Sequence, residues 1–175
     1  KSPSHFDSDG AEELAYFEEV MADVGQRFAI DRDRMMMTGF SAGGMMVWNL
    51  ACQRPDLFAG FAPISGTFWL EAPQNCASPA ASVVHIHGDA DKTVPLAGRP
   101  IRATKQGDVD KALAMYAAHG GFGAATPARM DDLRCEMRSN AGGEVLEFCL
   151  FEGGHSFRVD FLRHAWERLE AAGRF

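Results

Sequence analysis

The sequence predicts an α/β fold: a mostly parallel sheet with flanking helices. Three observations predict it. Amphipathic helical stretches alternate with short apolar runs such as "MMMTGF" and "SVVHIHG". Runs of that kind suit strands buried on both faces of a parallel sheet. The order strand, helix, strand then demands crossover connections. The chain has 175 residues, 46% hydrophobic and 23% charged. That is enough for one sizeable core, and residues 1–175 read as a single domain.

The elements follow in order. After a polar leader, "KSPSHFDSDG", apolar residues recur at Leu14, Phe17, Val20, Met21, Val24 and Phe28. Steps of three and four make an amphipathic helix, and acidic residues in its first turn suit the helix dipole. "IDRDR" turns the chain into the strand "MMMTGF". "AGGMMVWNLACQR" is a helix stopped by Pro55, and "LFAGFAPIS" and "SVVHIHG" are strands separated by a Pro/Ser/Gly-rich loop. A long polar connection leads to the helix "DVDKALAMYAAHGG", which Gly120 and Gly121 end. "ARMDDLRCEMR" and "EVLEFCLF" read as two strands joined by the turn "SNAGG". A loop and the amphipathic helix "FLRHAWERLEAA" complete the chain.

Several function classes are disfavoured. The formal net charge is −7, which argues against a nucleic-acid binder. No apolar run is long enough to span a bilayer, so no membrane partner is expected. The chain starts at Lys1, so the lack of a signal peptide says nothing about compartment. Four cysteines, Cys52, Cys76, Cys135 and Cys149, contain no C-x-x-C pair. Their even number permits two disulfides; buried thiols are the alternative.

The chemistry centres on "GFSAGG", residues 39–44. G-x-S-x-G is a weak motif in a chain with 18 glycines, but its place between a strand and a helix is what a nucleophile elbow requires. Small neighbours let strand and helix approach closely, and the N–H of Ala42 at the helix N-terminus suits a developing oxyanion. The plain alternative is a tight turn holding an incidental serine. Acid and base candidates follow in the chain. Asp89 and Asp91 lie just beyond a strand end, where ligands gather in open α/β sheets. His155 lies in the Gly-flanked loop "EGGHSF" beyond another. His85 and His87 share one face of their strand. With Asp89 they resemble part of an H-x-H-x-D metal motif, yet Ala90 stands where a further histidine is wanted. The plainer reading packs His85 in the strand and lets His87 hold the turn carrying the acid. No metal or cofactor is expected.

Taken together, "TGFSAGGMM", "HIHGDADKTVP" and "EGGHSF" resemble the polyhydroxybutyrate depolymerase and feruloyl esterase group of secreted α/β-hydrolases. The resemblance runs from about the first helix to His155. It implies an α/β-hydrolase sheet whose N-terminal strands are missing, and a serine hydrolase acting on carboxylic esters. It implies Ser41 as nucleophile, Asp91 as acid with Asp89 as the alternative, His155 as base and Ala42 N–H as an oxyanion donor. It also implies a secreted or periplasmic location. Such enzymes carry an H-G loop early in the chain that supplies a second oxyanion donor, and none precedes Ser41 here. The chain therefore reads as the C-terminal portion of a larger hydrolase. Its N-terminal segment becomes the expected partner, and the chain alone is expected to hydrolyse poorly. "GGHSFR" lacks the Trp-Pro that often follows the family histidine, which bears on the binding subsite rather than on the base. In this frame Cys135 and Cys149 pair across the hairpin, and Cys52 and Cys76 tie the post-elbow helix to the following loop. Met45, Phe68, Trp69 and Leu96 are candidates for lining an acyl pocket, with core packing as the plain alternative. Two other readings remain: a metal-dependent hydrolase on His85, His87 and Asp89, and a non-catalytic module that keeps the fold.

Overall fold

The computed structural model describes residues 11–175; the polar leader lies outside them. The chain forms two compact units, one ending at Arg32 and the other running Asp33–Phe175. The first holds α1 (Ala11–Arg27), whose last turn carries the Arg27–Asp23 ion pair at 2.8 Å.

The second unit is built on β1 (Met36–Phe40), α2 (Ala42–Gln53), β2 (Gly60–Ile64) and β3 (Val83–Gly88). It continues with the short strands β4 (Arg99–Ile101) and β5 (Thr104–Gln106), then α3 (Val109–His119). The strands β6 (Thr126–Met130), β7 (Leu133–Ser139) and β8 (Val145–Phe151) follow, and α4 (Val159–Ala171) closes it. Six strands form one sheet in the order β1-β2-β3-β8-β7-β6. The first four are mutually parallel; β7 and β6 add antiparallel beyond β8. This is the mostly parallel sheet that the continuous apolar runs predict. Every residue of β2 and β3 is buried, as strands covered on both faces must be.

Alternation in β8 assigns the two faces. Glu147, Cys149 and Phe151 look toward α4: Phe151 stacks on Phe161 at 4.8 Å. The fully buried Glu147 carboxylate takes hydrogen bonds from His164 and Arg168, each at 2.9 Å. A buried charge is tolerable only with such partners. On the other face Phe148 meets His85, which in turn meets Trp48 of α2. The turn into α3 is capped by Asp108, whose side chain accepts the Lys111 N–H.

Two elements differ from expectation. The polar connection after β3 holds a two-stranded antiparallel ribbon, β4–β5, too short to show a hydrophobic period. "ARMDDLRCEMR" is two strands, not one. Asp131 and Asp132 form a tight turn between Met130 and Leu133, with Asp131 at φ 52°, a conformation aspartate tolerates better than most residues.

Both disulfides form. Cys135 and Cys149 are direct register partners in the β7–β8 hairpin. Cys52 and Cys76 join the end of α2 to the loop after β2, beside a hydrogen bond from Ala77 N–H to Cys52 carbonyl at 2.7 Å. Replacing Cys52 and Cys76 together by alanine is expected to lower the unfolding free energy by about 2–4 kcal/mol, measured by denaturant titration under non-reducing conditions.

Candidate active site

Ser41 stands alone between β1 and α2 with φ 58° and ψ −118°. An L-residue there is strained, as a nucleophile elbow requires. Backbone hydrogen bonds hold it. Its N–H donates to Ile64 carbonyl at 3.0 Å, and its carbonyl accepts from Met45 N–H at 3.1 Å. Two glycines of the motif, Gly39 and Gly44, have a steric cause. A Cβ on Gly39 would lie 2.5 Å from the Gly43 backbone, and one on Gly44 would lie 2.7 Å from Ile64 carbonyl. Gly66, on the loop after β2, is equally confined, since its Cβ would lie 2.5 Å from the Gly44 backbone. The Ser41 side chain makes no capping bond to α2. Ala42 and Gly43 are exposed, so the first turn of α2 presents its N–H end to solvent.

Asp91 lies in the turn after β3, and its side chain is fully buried. One carboxylate oxygen, Oδ1, accepts Thr93 N–H at 2.8 Å and Val94 N–H at 2.9 Å. The other, Oδ2, lies 2.7 Å from His155 Nδ1. Burial pushes this carboxyl up, but the Val94, His155 and Thr93 hydrogen bonds outweigh it and leave it below its ordinary range. A carboxylate only accepts, so His155 carries its proton on Nδ1, and Nε2 of the neutral ring has a free lone pair.

His155 sits in the loop after β8, with its side chain 17% exposed. Its ring packs on Phe40, the residue before Ser41, with centroids 4.6 Å apart. That contact brings the imidazole to the elbow, although Ser41 Oγ and His155 share no hydrogen bond among the described residues. The acid and base loops are also joined directly. Asp89 N–H donates to Phe151 carbonyl at 3.0 Å and Ala90 N–H to Gly153 carbonyl at 2.9 Å. A Cβ on Gly88 would lie 2.3 Å from Gly154 carbonyl oxygen; only glycine lets the loops close on each other here.

Asp89, the alternative acid, turns away from His155. Its carboxylate accepts from Arg134 at 2.7 Å and from Gly153 N–H at 3.1 Å, and the Arg134 guanidinium holds it below its ordinary range. It clips the base loop and β7 together. The metal reading is corrected for the same reason. His85 Nε2 is 2.9 Å from His87 Nδ1, and His87 Nε2 is 2.8 Å from Val94 carbonyl. The imidazoles are engaged with each other while Asp89 faces Arg134, so the three do not converge on one point.

The pocket candidates divide. Met45 and Phe68 are buried, and Phe68 packs on Trp48 at 5.4 Å. Trp69 and Leu96 are half-buried. Phe68 and Trp69 line a cleft of about 510 Å³ beside the Cys52–Cys76 bridge. A larger cleft, about 920 Å³, lies along α3 and β6–β8. Neither is lined by Ser41, Asp91 or His155. Sequence reading missed Arg134 and Gly88 as supports of the site. Gly88 carried a signal, as a glycine at the strand end immediately before the acid turn.

The sheet and the serine elbow define an α/β-hydrolase. The chain belongs to the phospholipase/carboxylesterase family, which it matches over residues 7–106. It is 26% identical over 144 residues to a probable feruloyl esterase C of Aspergillus flavus, covering 82% of this chain and 50% of the relative. It is 34% identical over 73 residues to poly(3-hydroxyalkanoate) depolymerase C of Paucimonas lemoignei, covering 42% of this chain and 16% of that protein. The acetyl xylan esterase of Aspergillus awamori shares the fold, with TM-score 0.62 at 13% identity over 92% of this chain and 67% of that one. The chain spans half or less of the length of these two curated relatives.

Because Asp91 is held below its ordinary carboxyl value of 3.8, its ionised form stabilises the fold. That contribution is complete above the ordinary value and is lost as pH falls through the lower folded value. The stability advantage of the native chain over Asp91→Asn should therefore shrink as pH drops below about 5, read by urea unfolding at each pH.

Proposed function

We propose that this chain carries the catalytic residues of a serine esterase that hydrolyses carboxylic esters through an acyl-enzyme. The observation that carries the reading is the 2.7 Å hydrogen bond between Asp91 and His155, on a loop packed against the serine elbow. In the reaction, His155 Nε2 takes the Ser41 proton as Oγ attacks the ester carbonyl carbon. Asp91 keeps the imidazole in the Nδ1–H tautomer and stabilises its cation. The tetrahedral oxyanion is received by Ala42 N–H at the start of α2. Collapse expels the alcohol, which takes the proton from His155, and water completes the cycle by the same route.

The second oxyanion donor comes from a segment of the same protein N-terminal to this chain, and the chain is part of one catalytic domain with it. The names of the relatives support aryl or hydroxyacyl esters as substrates. Location in an oxidising, extracellular-type compartment is supported by two disulfides that use all four cysteines.

The test uses the full-length protein. A fluorophosphonate probe should label it, and Ser41→Ala should abolish labelling. Asp91→Asn should keep labelling slow and lower kcat for a short-chain aryl ester by about 10³–10⁴-fold. A folded full-length protein that stays unlabelled would instead be a non-catalytic module.

A further inference from the structure

The histidine row on β3 has a chemical logic that packing does not explain. His87 and Asp91 side chains are both fully buried. His87 Nε2 lies 2.8 Å from Val94 carbonyl, which can only accept, so Nε2 carries the proton. The same nitrogen lies 3.5 Å from Asp91 Oδ2, the oxygen bonded to His155. His87 Nδ1 must then accept if the ring is neutral, and His85 Nε2 stands 2.9 Å from it as donor. That leaves His85 Nδ1 bare, buried and without a hydrogen-bond partner, in a ring packed between Trp48 and Phe148. Each tautomer is thus set by its neighbour. Burial pushes both imidazoles down, His85 well below the ordinary histidine range, so the row stays uncharged at neutral pH.

We propose that His87 is a positioning residue for the acid: a neutral N–H, oriented by His85, that holds Val94 carbonyl and faces Asp91 Oδ2. The proposal rests on the serine-esterase reading. A neutral donor is the suitable partner. A lysine or arginine at this place would neutralise Asp91 and weaken its hold on the His155 cation. An apolar residue would leave the buried Val94 carbonyl unsatisfied and free the carboxylate to rotate. The titratable groups facing His87 are His85, Asp91 and His155. Of these, His155 changes charge in catalysis, and Asp91 lies between it and His87.

The experiment compares His87→Leu and His87→Gln in the full-length protein. Leucine removes the donor; glutamine can present an N–H near the Nε2 position. In His87→Leu, the Val94 carbonyl loses its partner and Oδ2 loses a nearby donor, so the acid turn is held less firmly. The variant's kcat should fall about three- to tenfold with KM little changed, the worth of one neutral hydrogen bond. Glutamine should restore kcat. A kcat in His87→Leu equal to that of the native enzyme, or a loss that glutamine leaves unrepaired, would overturn the proposal. Should the leucine variant not fold, histidine-selective ¹⁵N NMR of the native protein decides. His87 must be the neutral Nε2–H tautomer, and an Nδ1–H or protonated ring would refute the assignment. This reading needs no activity, so its failure is distinct from failure of the esterase assignment, which native enzyme without probe labelling would show.

Discussion

A carboxylate without solvent must find its partners inside the protein, and Asp91 sets that demand for the whole C-terminal edge of the sheet. Burial alone would push its pKa up. Donors from its own turn and from the loop after β8 keep it charged. The acid and base loops are joined by backbone bonds and by the Asp89–Gly153 clip before the His155 side chain is considered. The close approach at Gly88 then leaves no space for a side chain. Asp89 and Asp91, two residues apart, therefore have different duties: one braces the loops and the other holds the imidazole.

The serine side of the site is governed by sterics rather than charge. The strained Ser41 conformation is sustained by backbone bonds to β2 and α2. Gly39, Gly44 and Gly66 stand where neighbouring backbone passes through the space a Cβ would take. Phe40 links the two halves, because it is both the last residue of β1 and the surface on which the His155 ring lies. A rigid sheet thus positions groups that come from loops, the arrangement expected where catalytic residues must be exposed yet accurately held.

Much of this was legible in the sequence because it is local. The apolar runs of β1, β2 and β3 and the helical periods of α1 and α4 announce themselves, and the order of serine, aspartate and histidine motifs is one-dimensional information. Both disulfide pairs followed from the family resemblance and the hairpin. What escaped was either very short or long-range. The β4–β5 ribbon has three residues per strand, too few to establish a period. The Asp131–Asp132 turn hid inside a run whose alternation continues on both sides. The pairing of Arg134 with Asp89 spans 45 residues, and nothing near either position points to the other. The choice between Asp89 and Asp91 is of the same kind, since it depends on which carboxylate the base loop reaches. Met45 and Phe68 show the converse limit: apolar residues near an elbow read alike whether they pack in the core or line a pocket.

The central claim is that Asp91, and not Asp89, holds His155 in the Nδ1–H tautomer that the proposed reaction requires. It is tested most directly by proton NMR of the ring N–H of His155 in the full-length protein. A short hydrogen bond to a buried carboxylate should give a far-downfield, exchange-protected resonance. That resonance should be absent in Asp91→Asn and present in Asp89→Asn. Its persistence in Asp91→Asn with loss in Asp89→Asn would contradict the account.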